Sequence, residues 1–190
     1  MYTNKYKIIN LLIKENKELF LREIHRNTKI PLKTIQNNIK ILENENIILS
    51  NIVGKNKFFR LNKTNPKIIF EIEIAENKKT IDFIDKNPLL KTFIEKINED
   101  KNSITVVFGS FSNYTNDQNS DIDILTISEK KILLPDHLST QNIHQIDMTF
   151  NEFEKNIEKK SALINEIFKN HIVLNNSSQF TKYILLWCLI

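Results

Sequence analysis

The sequence predicts an α+β chain of 190 residues, with a helical N-terminal part, a helical connector and a C-terminal part built on a mixed sheet flanked by helices. Three observations lead there. Apolar residues in the first third recur at helical spacing and then give way to two short runs joined around Val53-Gly54-Lys55-Asn56. A continuous apolar run, Ile104–Phe108, stops at Gly109, one of only two glycines in the chain. Beyond it, the stretches around Asp121–Ile127 and Gln145–Phe150 alternate with the period of two that a strand requires. The expected boundaries are 1–65, 66–102 and 103–190.

Composition narrows the class. The hydrophobic share is 41%, enough for a globular core, and the net charge is +4. That charge is uneven. Residues 1–65 carry 13 lysines and arginines against 5 acids, a net of +8, whereas the remainder carries 14 against 18, a net of −4. A basic front half points to a nucleic-acid contact confined to that half, and a solvated lysine-rich surface is the alternative. Cys188 is the single cysteine, which excludes an intrachain disulfide and a cysteine-based zinc site. Lys5, Lys7 and Lys14 interrupt the N-terminal apolar residues, so no signal peptide is expected there. The C-terminal "YILLWCLI" is far shorter than the roughly 20 residues of a membrane span. The expected compartment is the cytoplasm, with no membrane contact.

In the front third, Ile8, Leu11 and Leu12 mark one helix, and Leu21–Arg26 fits a second, short one. Pro31 sits where a turn hands over to a third. There Leu32, Ile35, Ile39 and Leu42 form one stripe, with Lys33, Thr34, Gln36, Asn37, Asn38 and Lys40 opposite. Ile47–Asn51 and Lys57–Leu61 then read as a hairpin, with Gly54 supplying the positive φ of its turn. Three helices followed by a basic hairpin resemble a winged helix-turn-helix of the MarR/ArsR-like kind. Gln36 and Asn37 on an exposed recognition helix can pair with adenine edges in the major groove of double-stranded DNA. Lys33, Lys40, Lys55, Lys57 and Arg60 can meet phosphates, and Thr34 lies on the same face. The resemblance also implies a homodimer. The connector, from Asn65-Pro66 onward, reads as one or two helices divided at Pro88.

The back half carries the chemistry. Gly109 permits a close backbone turn after the buried strand, and Ser110 opens a short helix whose N–H groups and hydroxyl can hold a phosphate. Asp121 and Asp123 lie two apart in the next strand, so they share a face, and Ile122 and Ile124 share the other. Two adjacent carboxylates are tolerable at a strand end when a divalent cation such as Mg2+ sits between them. Asp147 offers a third carboxylate, on a strand face shared with Gln145 and Thr149, with Ile146, Met148 and Phe150 on the buried side.

Gly-Ser, ten residues, Asp-x-Asp and a later strand aspartate resemble the nucleotidyltransferase superfamily of DNA polymerase beta type, and more narrowly its minimal nucleotidyltransferases, which include antitoxin-type enzymes. The resemblance runs from about Ser103 to Lys182 and takes in the tail "NEIFKNHIVLNNSSQFTKYI". It implies that Asp121, Asp123 and Asp147 are catalytic and bind Mg2+ or Mn2+, and that Gly109 and Ser110 hold a nucleoside triphosphate such as ATP. It departs from the family pattern after Ser110. Family members often carry a cation and a second glycine where this chain has Phe111-Ser112-Asn113-Tyr114, and the chain's three arginines (Arg22, Arg26, Arg60) all lie in the front third.

The leading expectation is therefore a DNA-binding nucleotidyltransferase. It would transfer a nucleoside monophosphate to a protein or RNA hydroxyl, as an autoregulated module of toxin–antitoxin type. The alternative is a transcription regulator whose nucleotidyltransferase-like domain binds nucleotide or a partner without efficient catalysis. A third expectation, adenylyl transfer to a small molecule, leaves a DNA-binding domain without a purpose.

Overall fold

The computed structural model describes residues 2–98, 100, 102–134, 137–138 and 141–189. Two compact units emerge. The first ends at Lys78, and the second runs from Lys79 to Cys188, with Leu189 grouped with the first.

The first unit contains α1 (Tyr2–Glu15), β1 (Leu19–Phe20), α2 (Leu21–Thr28), α3 (Leu32–Asn44), β2 (Ile48–Val53), β3 (Asn56–Leu61) and the opening of α4 (Ile68–Lys86), inside which the boundary falls. Its core gathers Ile8, Leu12, Ile24, Ile35, Leu42, Leu61 and Ile72. Helix α2 ends because Lys29 takes a left-handed conformation, with φ 58°, and Pro31 then leads into α3. On α3 the stripe of Ile35, Ile39 and Leu42 is buried as its spacing predicts. Leu32 differs, being 40% exposed in the first turn, and Asn38 differs in the other direction. Asn38 is buried because its amide bonds back to the Thr34 carbonyl at 2.8 Å, which satisfies its donor inside the stripe.

The three strands lie in the order β1-β3-β2, all antiparallel. Val53 pairs with Asn56, so Gly54 and Lys55 alone form the turn, and Gly54 takes φ +60°. A positive φ at the first central residue of a two-residue hairpin is what selects glycine there.

In the second unit a single 3-10 turn at Pro88–Leu90 separates α4 from α5 (Lys91–Ile97), where Pro88 was expected to divide the connector. Then follow β4 (Ile104–Phe108), α6 (Gly109–Ser112), β5 (Ile122–Ile127), β6 (His137–Leu138), β7 (Gln141–Met148), α7 (Phe150–Glu158), α8 (Ala162–Lys169), β8 (His171–Val173) and α9 (Ser177–Leu189). The sheet order is β6-β7-β5-β4-β8. Among the described residues β5 and β7 run parallel and the other pairs are antiparallel, so the sheet is mixed.

Helices cover both faces. Strand β4 is buried along its whole length, as a strand covered on two sides must be. On one face Val107, Ile122, Ile124 and Ile172 pack with Phe83, Leu90, Phe93, Ile94 and Ile97. The alternate residues face the other way, where His171 meets the rings of Phe168 and Phe180. Phe153, Tyr183 and Trp187 complete that aromatic cluster. Helix α7 is started by a reciprocal cap. The Glu152 N–H bonds the Thr149 hydroxyl at 3.2 Å, and the Thr149 N–H bonds the Glu152 carboxylate at 2.8 Å.

Phe168 lies at the centre of the aromatic cluster and is 1% exposed. Phe168→Ala is expected to cost about 3–5 kcal/mol, measured as a fall in the urea midpoint of the second unit.

Candidate functional site

Cross-strand pairing assembles the site. Phe108, the last residue of β4, stands opposite Asp123, so the chain leaving β4 passes directly over the Asp123 side chain. Gly109 makes that passage at φ +65°. A Cβ built on Gly109 would overlap the Asp123 carboxylate at Oδ2 and lie 3.2 Å from its Cγ. Two independent constraints thus select glycine, a left-handed backbone and a carboxylate seated against Cα. Ser110 is half-buried in the short helix α6, and Ser112 fixes that helix by bonding the Gly109 carbonyl at 2.8 Å and the Asn170 carbonyl at 3.1 Å. The stretch after it closes as a turn, in which the Asn119 N–H and the Ser120 hydroxyl hold the Asp117 carboxyl below the usual carboxylate range.

Asp121 is exposed and immediately precedes β5, and Asp123 is half-buried within it. Each is met by a residue from the parallel neighbour β7. Asn142 donates to Asp121 Oδ1 at 3.2 Å, and His144 Nδ1 lies 3.0 Å from Asp123 Oδ1. Gly109, Ser110, Asp121 and Asp123 therefore come together at the start of β5. Residues 89–182 match the family model described as a nucleotidyltransferase domain. No curated protein and no solved structure matches the chain.

Within the matched segment, Asp147 departs from the expected site. It does share a strand face with Gln145, whose amide donates to it at 2.6 Å. But β5 and β7 pair Thr126 with Asp147 and Asp123 with His144. Residues 123 and 126 are three apart, so their side chains leave opposite faces of the sheet. Asp147 accordingly accepts a short hydrogen bond from the Thr126 hydroxyl, and it does not join Asp121 and Asp123. Nor is it buried. It lines a small surface cavity of about 280 Å³ with Lys130, Lys131 and Glu152, and Ile146, Met148 and Phe150 behind it are only half-buried.

The place beside Asp123 belongs to His144, which sequence reasoning missed. Only its position two residues after Asn142, on a strand neighbouring the Asp-x-Asp strand, could have signalled it. Among the described residues no three His, Cys, Asp or Glu side chains are gathered as a metal-binding group. The Asp121–Asp123 pair still suits a hard divalent cation chemically, offering carboxylate oxygens at an accessible strand end.

A second omission concerns charge. The segment after Ser110 contains no cation, yet Lys86 from the end of α4 places its Nζ 3.8 Å from the Tyr114 ring centre. Tyr114 itself holds φ +57°, an unusual backbone for a bulky residue. Burial and the neighbouring Asp82 push its phenol up.

In the first unit, Lys33, Gln36, Asn37, Lys40, Lys55, Lys57 and Arg60 are exposed, and Thr34 is half-exposed. Lys57 and Arg60 are nevertheless engaged. Lys57 pairs with Glu43 of α3 at 2.6 Å, and Arg60 with Glu18 at 3.4 Å. Burial works against ionised Glu43, but the bonds from Lys57 and Ser50 outweigh it and hold its carboxyl below the usual range. A cavity of about 760 Å³ lies between α3 and the hairpin, lined among others by Arg22, Gln36, Glu43, Lys55 and Phe59.

The two glycines make a controlled comparison, because a Cβ on Gly54 would meet nothing within 4 Å. Gly54→Ala is expected to cost about 1–2 kcal/mol, the left-handed penalty alone. Gly109→Ala is expected to cost more, because it also displaces the Asp123 carboxylate. Thermal midpoints of the two variants, measured side by side, check this.

Proposed function

We propose that the second unit transfers a nucleoside monophosphate from a nucleoside triphosphate to a hydroxyl of a protein or RNA, and that the first unit is a winged helix-turn-helix domain that binds double-stranded DNA. An autoregulated, antitoxin-type protein acting as a homodimer combines the two activities. The observation that carries the catalytic part is the seating of Asp123 against Gly109 within a segment that matches the nucleotidyltransferase domain family. Asp121 and Asp123 would hold Mg2+ or Mn2+, which would neutralise charge on the triphosphate. Gly109 and Ser110 would receive the phosphates at the start of α6. The acceptor hydroxyl oxygen would then bond to the α-phosphorus as the bond to the β-phosphate oxygen breaks, with pyrophosphate leaving and the hydroxyl proton passing to solvent or base. Catalysis of this kind rests on positioning and charge neutralisation.

The DNA part is supported by the exposed polar face of α3 and by Lys33, Lys40 and Lys55, whose ammonium groups have no acid partner among the described residues. The alternative, a regulator that binds nucleotide without efficient transfer, is favoured by one observation, the turning of Asp147 toward Thr126.

Incubation with α-labelled ATP, CTP, GTP or UTP, a divalent cation and cell extract tests the catalytic reading. Label transfer is expected, with a loss of about a hundredfold or more for Asp121→Asn or Asp123→Asn. No transfer, together with nucleotide-sensitive DNA binding, would establish the regulator instead. Salt-dependent DNA binding tests the other half. Lys40→Ala is expected to weaken binding to all sequences alike and to lower the salt slope by about 1, whereas Lys57→Ala, which removes a lysine already paired with Glu43, is expected to change it less.

A further inference from the structure

We propose that His144 is a positioning residue for the carboxylate pair, holding Asp123 in the orientation that receives a divalent cation. This rests on the reading of the second unit as a metal-dependent nucleotidyltransferase, and it assigns a role to a residue outside the Asp-x-Asp motif.

The geometry is specific. Asp123 pairs with His144 across the parallel β5–β7 ladder, so both side chains leave the same face on one rung. His144 Nδ1 and Asp123 Oδ1 are 3.0 Å apart. An ionised carboxylate only accepts hydrogen bonds, so Nδ1 carries the proton and donates. The other oxygen, Oδ2, is the one that lies against Gly109. Asp123 is thus fixed from two sides, by a donor at one oxygen and by bare backbone at the other.

Two further observations separate this from an incidental surface contact. The side chain of His144 is 63% exposed, so packing does not explain the placement of a histidine there. And the device recurs two residues along the same face, where Asn142 donates to Asp121 Oδ1 at 3.2 Å. Strand β7 therefore presents two donors, two residues apart, to two carboxylates, two residues apart. Adjacent carboxylates repel, and the domain has no arginine to relieve them. Donors from the neighbouring strand supply that relief and remove rotamer freedom that cation binding would otherwise have to freeze. Hydrogen-bonding partners of metal ligands commonly alter metal affinity by about 10–100-fold.

The test uses the full chain without nucleotide, titrated with Mn2+ and followed by the spin-resonance signal of the free ion. Wild type, Asp123→Asn, His144→Ala, His144→Asn and His144→Gln are compared, with thermal midpoints as the control for folding. Wild type is expected to bind, and Asp123→Asn to lose binding. His144→Ala is expected to weaken affinity by about 10–100-fold at an unchanged midpoint. His144→Asn, whose amide nitrogen falls near the place of Nδ1, is expected to restore most of it, and His144→Gln is not. If His144→Ala or His144→Gln binds as wild type does while Asp123→Asn fails, the role of His144 is overturned and the metal reading stands. The role is equally overturned if His144→Asn binds no better than His144→Ala. If wild type binds no better than Asp123→Asn, the metal reading itself falls and the role of His144 with it.

Discussion

The close approach of Gly109 to the Asp123 carboxylate governs the organisation of the second unit. It needs strand β4 to end opposite Asp123, a backbone that turns at positive φ, and the absence of a side chain at the turn. Each requirement depends on the others. A buried five-residue strand fixes where the turn falls, the turn starts helix α6, and Ser112 then ties that helix to the Asn170 carbonyl that precedes β8. The carboxylate is therefore held by the covalent path of the chain as much as by hydrogen bonds.

Much of this was legible in the sequence because it is local. The apolar run Ile104–Phe108 is a strand with those bounds, the turn at Gly54 joins β2 to β3, and Pro88 separates two helices. Period and turn chemistry are properties of neighbours along the chain. What the sequence could not convey is register between strands. The alternation around Asp147 correctly grouped it with Gln145, but which side of the sheet that group occupies depends on pairing with β5. A difference of three residues between Asp123 and Thr126 decides it. The same limit hid His144, whose partner is distant in sequence and adjacent only across the ladder.

Charge was legible as a total and less so as a surface. The excess of lysine in the first 65 residues is real, yet Glu43 and Glu18 take up Lys57 and Arg60. Glu43 also accepts from Ser50, so one carboxylate joins α3 to both strands of the hairpin. Its effect is more geometric than energetic, since partly exposed ion pairs are worth roughly 0–1 kcal/mol. It ties the helix to the hairpin at two points. In the second unit the reverse holds, where Lys86 reaches a segment whose own sequence contains no cation.

The Thr126 hydroxyl of β5 donates to Asp147 and accepts from Gln145, and these two bonds act as a latch on the ladder between β5 and β7. Side chains on a strand change sides at every step, so sliding β7 by one residue would exchange its two faces. That slide would bring aspartate to the side of the carboxylates only by carrying Ile143 out of the apolar cluster and Asn142 into it. Gradual drift of the strand is thereby blocked. Replacing residue 144 in place is the change that puts an acid beside Asp123 while leaving Ile143 on the apolar cluster.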